Sequence, residues 1–124
     1  MTIRRISTDN APKPIGPYSQ AIINGSLVFV SAQAPIDPST GKLVDGDIED
    51  KVTMALSNVK AIVEASGSSI GNILKITLLI KDMSLFSKIN KAYEEFFGDG
   101  RPARTTIQTN MPQEVMVDAV AFIK

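Results

Sequence analysis

The sequence predicts an α+β domain: one β-sheet with two helices on one of its faces, in the order β-β-β-α-β-α-β-β. Three observations predict it. Two segments carry apolar residues at helical spacing, the rest of the apolar residues cluster in short strand-like runs, and Gly, Pro and Asp punctuate the joints. Each helical segment follows a strand, so both can lie on the same side of a single sheet. With 124 residues and 44% apolar content, the chain has material for one core, so residues 1–124 are expected to form a single domain.

The elements follow in order. Ile3 to Ser7 is a short edge strand, and Asp9 to Pro17, with three prolines and a glycine, is a loop. Gln20 to Asn24 and Leu27 to Gln33 are apolar runs separated by Gly25-Ser26, a hairpin signal. Pro35 to Asp47 is expected to be a loop around the turn sequence Asp37-Pro38-Ser39-Thr40-Gly41. Ile48 to Ser66 is helical: Val52, Leu56, Val59 and Val63 form its apolar stripe, and Thr53, Ser57, Lys60 and Glu64 its polar one. Asp47 is its expected N-cap and Gly67 its stop. Ile73 to Lys81 is a strand. A second helix runs from about Ser84 to Phe97, with Phe86, Ile89, Tyr93 and Phe96 inward and Ser84, Lys88, Lys91 and Glu95 outward; Gly98 ends it. Thr105 to Thr109 and Val115 to Ile123 are the last strands.

The long strands are apolar on both faces. Leu27 and Phe29 oppose Val28 and Val30. Leu74, Ile76, Leu78 and Ile80 are expected to oppose Ile73 and Leu79, and Val115, Val117, Ala119 and Ala121 to oppose Met116, Val120 and Phe122. A half-solvated sheet alternates apolar with polar residues. Two helices cover one face only, so a further subunit is expected on the other.

Composition excludes several chemistries. There is no Cys, hence no disulfide, zinc–thiolate site or thiol nucleophile, and no His, hence no imidazole base or ligand. No metal or organic cofactor is expected. Lys+Arg and Asp+Glu both number 13, so no cationic surplus points to nucleic acid. Met1 to Ser7 does not resemble a secretory leader, and no apolar run is long enough to span a membrane; a cytoplasmic protein is expected.

Candidate chemistry falls on a few side chains. Arg104, Thr106 and Gln108 share one face of a strand; the guanidinium can grip a carboxylate, or be spent in a structural ion pair. Tyr18, in Gly16-Pro17-Tyr18-Ser19-Gln20, can sit at a pocket mouth or plug a turn. Ser31 is either a satisfied hydroxyl or a ligand contact. Asp118, flanked by Val117 and Ala119, needs either a cationic partner or a functional role.

These residues lie in a longer pattern: Asn10-Ala11-Pro12, Ile15-Gly16-Pro17-Tyr18-Ser19-Gln20-Ala21, Ser31-Ala32-Gln33, Asp37-Pro38 to Thr40-Gly41, Asn58-Val59-Lys60-Ala61-Ile62, Lys81-Asp82-Met83, Asn90, Tyr93 and Pro102-Ala103-Arg104. In that order, over essentially the whole chain, they resemble the RidA/YjgF/L-PSP family. The resemblance implies a chorismate-mutase-like fold and a homotrimer whose sheets form a central barrel, with clefts between subunits. It implies that Arg104 binds the carboxylate of a 2-imino or 2-oxo acid, with Tyr18, Ser31 and Thr106 lining the cleft. The implied activity is hydrolysis of 2-iminobutanoate and 2-iminopropanoate to 2-oxo acids and ammonia. A glutamate of the last strand orients the water in the family. Counting from Pro112 puts Asp118 at that position; aligning the strand ending on Ala119-Val120-Ala121 puts Met116 there. Ala32 stands where the family usually has glycine. A non-catalytic carboxylate-binding protein is the alternative expectation, with an endoribonuclease a more distant one.

Overall fold

A computed structural model of the chain describes residues 3–124, so the Met1 and Thr2 portion of the leader reading lies outside the described residues. Strand β1 (Ile3–Ile6) pairs antiparallel with β2 (Ala21–Asn24), and β2 with β3 (Leu27–Gln33). The β2–β3 turn is tight because Gly25 takes φ 62°, a region closed to most side chains. The stretch expected to be a loop also holds a small hairpin, β4 (Ile36–Asp37) and β5 (Lys42–Leu43). The Asp37 side chain closes it, accepting from the Ser39 backbone and hydroxyl at 2.8 and 2.6 Å. The serine hydroxyl, then its amide, hold the Asp37 carboxyl below the ordinary carboxylate range.

Helix α1 (Ile48–Ala65) starts on a capping box. Asp47 accepts from the Asp50 amide at 3.0 Å, and the Asp50 carboxylate accepts from the Asp47 amide at 3.4 Å. Gly46, with φ 148°, has no room for more: a Cβ there would lie 2.5 Å from Asp50 Oδ2. All four residues of the expected apolar stripe are buried. Strand β6 (Ile73–Ile80) and β7 (Ala103–Gln108) are parallel, which requires a crossover, and helix α2 (Phe86–Phe97) supplies it after a 3-10 turn over Met83–Leu85. That turn takes the first residues of the expected helix because the Asp82 side chain accepts from the Ser84 amide at 2.9 Å.

Strand β8 (Val115–Phe122) lies between β3 and β6, giving the sheet order β1-β2-β3-β8-β6-β7. Both helices pack on one face. There the core comprises Val28, Val30, Ile76, Leu78, Ile80, Val117 and Ala119 from the sheet against Val52, Leu56, Val59, Val63 and Ile89 from the helices. One expectation is corrected: Ile73 is buried and Leu74 exposed. The β6–β8 register slips between Ile73 and Lys75, so the start of the strand changes phase.

The other sheet face is uncovered. Leu27, Phe29, Leu74 and Ile107 are exposed on it at 38%, 44%, 46% and 44%. Residues that core alternation should have made polar are therefore large and apolar, as the sequence indicates. No helix of the described residues is long and apolar enough to cross a membrane.

Asp47→Ala removes the N-cap acceptor of α1 and is expected to lower unfolding free energy by about 1 kcal/mol, whereas Asp47→Asn should lose little. Urea denaturation of the two variants beside the wild type measures both.

Candidate functional site

The sheet register sorts the candidate residues. Arg104, Thr106 and Gln108 pair with Ile76, Leu78 and Ile80, which face the helices. Arg104 therefore projects under α2. Its guanidinium lies over the Tyr93 ring, 4.7 Å from the centroid, and 5.7 Å from that of Phe86. Among the described residues it makes no ion pair, so the structural-pair alternative for Arg104 is not what the chain adopts. A cavity of about 360 Å³ opens beside it, lined by Asn90, Tyr93, Glu94, Arg101, Pro102 and Arg104. That volume suits a small molecule.

Two polar atoms of this cavity stand out. Asn90 Oδ1 and the Tyr93 hydroxyl are buried without a hydrogen-bond partner. Such groups are rare, because a buried polar atom without a partner costs about 1–3 kcal/mol. Burial pushes the Tyr93 phenol above its ordinary value of 10.0, and the Arg104 cation offsets part of that shift. At neutral pH the cavity thus offers a cation, a neutral O–H donor and an amide acceptor. The helical pattern of the sequence puts Tyr93 in the apolar stripe and assigns Asn90 no role. The available signal was an amide three residues before a tyrosine on the sheet-facing side of a helix.

The remaining candidates lie elsewhere. Between Val30 and Gln33 the β3–β8 register shifts: Val30 pairs with Ala119 and Gln33 with Val117. Ser31 and Ala32 thus fall opposite Asp118, which pairs on its other side with Thr77. Ser31 donates to the Ser19 carbonyl at 2.7 Å, so its hydroxyl is satisfied within the chain. Tyr18 is 47% exposed. Its hydroxyl accepts from the Ile15 amide at 3.4 Å, and its ring approaches Gly16, where a Cβ would be 3.3 Å from Cε2. The space beside it, bounded by Ala32, Gln33 and Met116 among others, is about 40 Å³, room for a water rather than a substrate. Asp118 is half-buried and makes no ion pair among the described residues.

Buried amides hold this region. Gln20 Nε2 donates to the carbonyls of Thr8, Ala11 and Pro12 at 3.0, 3.4 and 2.9 Å, and its Oε1 accepts from the Thr8 amide at 2.7 Å. Asn58 Nδ2 donates to Ala34 and Ile36 carbonyls at 3.1 and 2.8 Å, and Gln33 Nε2 to that of Ser31 at 3.1 Å. The proline-rich loop and the β3 exit are thereby fixed to the sheet and to α1.

One chain therefore carries two separate groups. Arg104 and Thr106 lie on the helix face at the β7 edge. Asp118 lies in β8 on the opposite face, with Ser31 beside it in register and Tyr18 in the adjoining loop. Strands β3 and β7 are three positions apart, roughly 14 Å at the usual strand spacing.

Comparison with known proteins gives a consistent picture. Residues 8–123 match the family model described as endoribonuclease L-PSP. A RutC family protein of Pyrococcus horikoshii is 48% identical over 118 residues, 94% of each chain. The 2-iminobutanoate/2-iminopropanoate deaminase of Salmonella typhimurium is 40% identical over 123 residues, covering 96% of this chain and 95% of that one. The crystal structure of Escherichia coli TdcF with bound serine superposes with a TM-score of 0.92 at 38% identity, covering 98% of this chain and 99% of the other. The α+β, chorismate-mutase-like architecture implied by the resemblance is borne out.

The raised Tyr93 phenol has a pH consequence. Folded and unfolded chains both hold this proton below about pH 10; above it the unfolded chain loses the proton first. Stability is expected to fall as pH rises through this range, and less steeply in Tyr93→Phe. Thermal unfolding between about pH 9 and 11 compares them.

Proposed function

The chain belongs to the endoribonuclease L-PSP family, the family of RidA and YjgF, and from that premise we propose that it hydrolyses small reactive 2-imino and enamine acids, 2-iminobutanoate and 2-iminopropanoate, to 2-oxo acids and ammonia. The observation that carries the proposal is the unpaired Arg104 guanidinium in a cavity of small-molecule size. A relative named as a deaminase of these imines and a TdcF structure holding serine, a small carboxylate, support it.

The chemistry asks little of the protein. A protonated imine is already an electrophile at C2. Arg104 anchors the carboxylate by paired charge-assisted hydrogen bonds, and Thr106, two residues on, lies on the same strand face. Water adds through its oxygen to C2, and Asp118, as general base, takes its proton. Passing that proton to nitrogen makes ammonia the leaving group. The C–N bond breaks as the remaining hydroxyl becomes the carbonyl, giving a 2-oxo acid and ammonium. Ser31 and Tyr18 line the water side.

The two groups must come from different chains. In this proposal a homotrimer brings the Arg104 cavity of one subunit to the Tyr18, Ser31 and Asp118 group of another, and its interface covers the apolar sheet face. The exposed Leu27, Phe29, Leu74 and Ile107 support that reading. A second reading, a carboxylate-binding protein without turnover, holds if Met116 rather than Asp118 takes the glutamate position; Met116, not Asp118, borders the space beside Tyr18. Endoribonuclease activity is disfavoured by the balanced charge and the absence of His.

Imine loss is measured with a threonine dehydratase generating 2-iminobutanoate and semicarbazide trapping what survives. Arg104→Ala should lower kcat/KM roughly 100-fold or more; Asp118→Asn should lower kcat by about 100-fold or more. Unchanged turnover in Arg104→Ala sinks the assignment. Wild type that binds 2-oxobutanoate in a calorimeter without accelerating imine loss supports the binding-protein reading.

Phe29→Asp puts a carboxylate on the apolar face. Sedimentation velocity should show the variant as monomer where the wild type is trimer; a variant that sediments like the wild type removes this face from the interface.

A further inference from the structure

The Arg104 cavity has a second guanidinium and one carboxylate. Glu94 lies in the last turn of α2, where the helix dipole disfavours a negative charge. Arg101 follows the helix end and meets both the chain end of the helix and that charge: its Nε donates to the Gly98 carbonyl at 2.8 Å, and its Nη2 lies 3.5 Å from Glu94 Oε1. Arg104 then lies on Tyr93 and Phe86 with no carboxylate engaged. Arg101, Arg104 and Glu94 leave the lining with a net charge of +1, carried by the arginine without a partner.

We propose that Arg101 is a positioning residue for ligand binding: by occupying Glu94 it keeps that carboxylate from capturing Arg104 or repelling an incoming anion. The inference rests on the reading of Arg104 as carboxylate anchor. It fits a ligand with a single carboxylate, since one cation is left to meet it. The bland alternatives are that Arg101 only caps α2, or that it grips the ligand itself. All three predict some loss when Arg101 is removed, but only the first predicts that removing Glu94 repairs it.

Calorimetric titration with 2-oxobutanoate, a stable product analogue of the imine, tests this in the full-length chain at low salt. The Arg101–Glu94 pair is half exposed, with side-chain exposures of 52% and 67%, so screening keeps the effect modest. Arg101→Met should raise Kd about three- to tenfold, less at roughly 0.5 M salt, where screening shortens the reach of charge. Arg101→Lys should bind like the wild type. Adding Glu94→Gln to Arg101→Met should restore Kd to within about twofold of wild type, a non-additivity expected only of coupled residues. Wild-type affinity in Arg101→Met, or a loss that Glu94→Gln does not relieve, overturns the proposal. Arg104→Ala run alongside separates the two levels. If it abolishes binding while the Arg101 variants respond in neither way, the anchor stands and this inference falls; if it binds like the wild type, the anchor reading has failed and takes the inference with it.

Discussion

Strand β8 is the constraint on which the other features depend. It is hydrogen-bonded on both sides, to β3 and β6, so its strict alternation fixes which face every neighbouring residue takes. Val115, Val117, Ala119 and Ala121 fill the space under α1, while Met116, Asp118, Val120 and Phe122 are sent to the open side. A one-residue slip would bury Asp118 without a partner beneath a helix, at a cost of several kcal/mol. The same alternation makes the open face apolar, and so leaves the chain with a surface that folding alone does not cover. Core formation and the uncovered apolar face thus have one origin.

Irregularities in that regular frame place the chemistry. The slip between Val30 and Gln33 sets Ser31 and Ala32 against the single residue Asp118. The parallel β6–β7 pair forces α2 across the sheet, and this crossover puts Asn90 and Tyr93 above Arg104. Polar side chains with opposite fates mark the difference between scaffold and cavity. Gln20, Gln33 and Asn58 are buried and donate through their side-chain amides to backbone carbonyls. Asn90 and Tyr93 have buried atoms with nothing to bond. The first group fixes a loop; the second is what a ligand would satisfy.

Much of the fold was legible because its signals are local. Asp47 and Gly67 bracket α1, and the Val52, Leu56, Val59 and Val63 stripe is a one-dimensional pattern that burial reproduces. The failures are non-local. The β4–β5 hairpin rests on only two residue pairs, too short for periodicity to register. The phase change at Ile73–Leu74 follows from the β6–β8 pairing and cannot be seen in β6 by itself. In the candidate site, the face shared by Arg104, Thr106 and Gln108 was legible from period-two spacing. That Arg104 would rest on Tyr93, and that Asp118 would face the other way, depends on sheet order, which no local pattern encodes.

The separation of Arg104 from Asp118 bears on how a site without histidine could work. Held side by side in one subunit, a guanidinium and a carboxylate would pair with each other, and neither would be available to a substrate. Opposite faces of a sheet keep them apart in each chain, and an interface can then present them to a ligand that fits between. A 2-imino acid has the complementary layout, with a carboxylate for the cation and an adjacent electrophilic carbon for the water. The same logic operates on a smaller scale within the Arg104 cavity, where Arg101 takes the nearby carboxylate and an aromatic face supports the remaining cation. A cation on an aromatic ring is held by a weaker, less directional attraction than a paired carboxylate offers, so it stays in place yet yields readily to an anion. Under the proposed function the apolar sheet face and the unpaired charges solve a single problem: keeping reactive groups free until assembly and substrate bring them together.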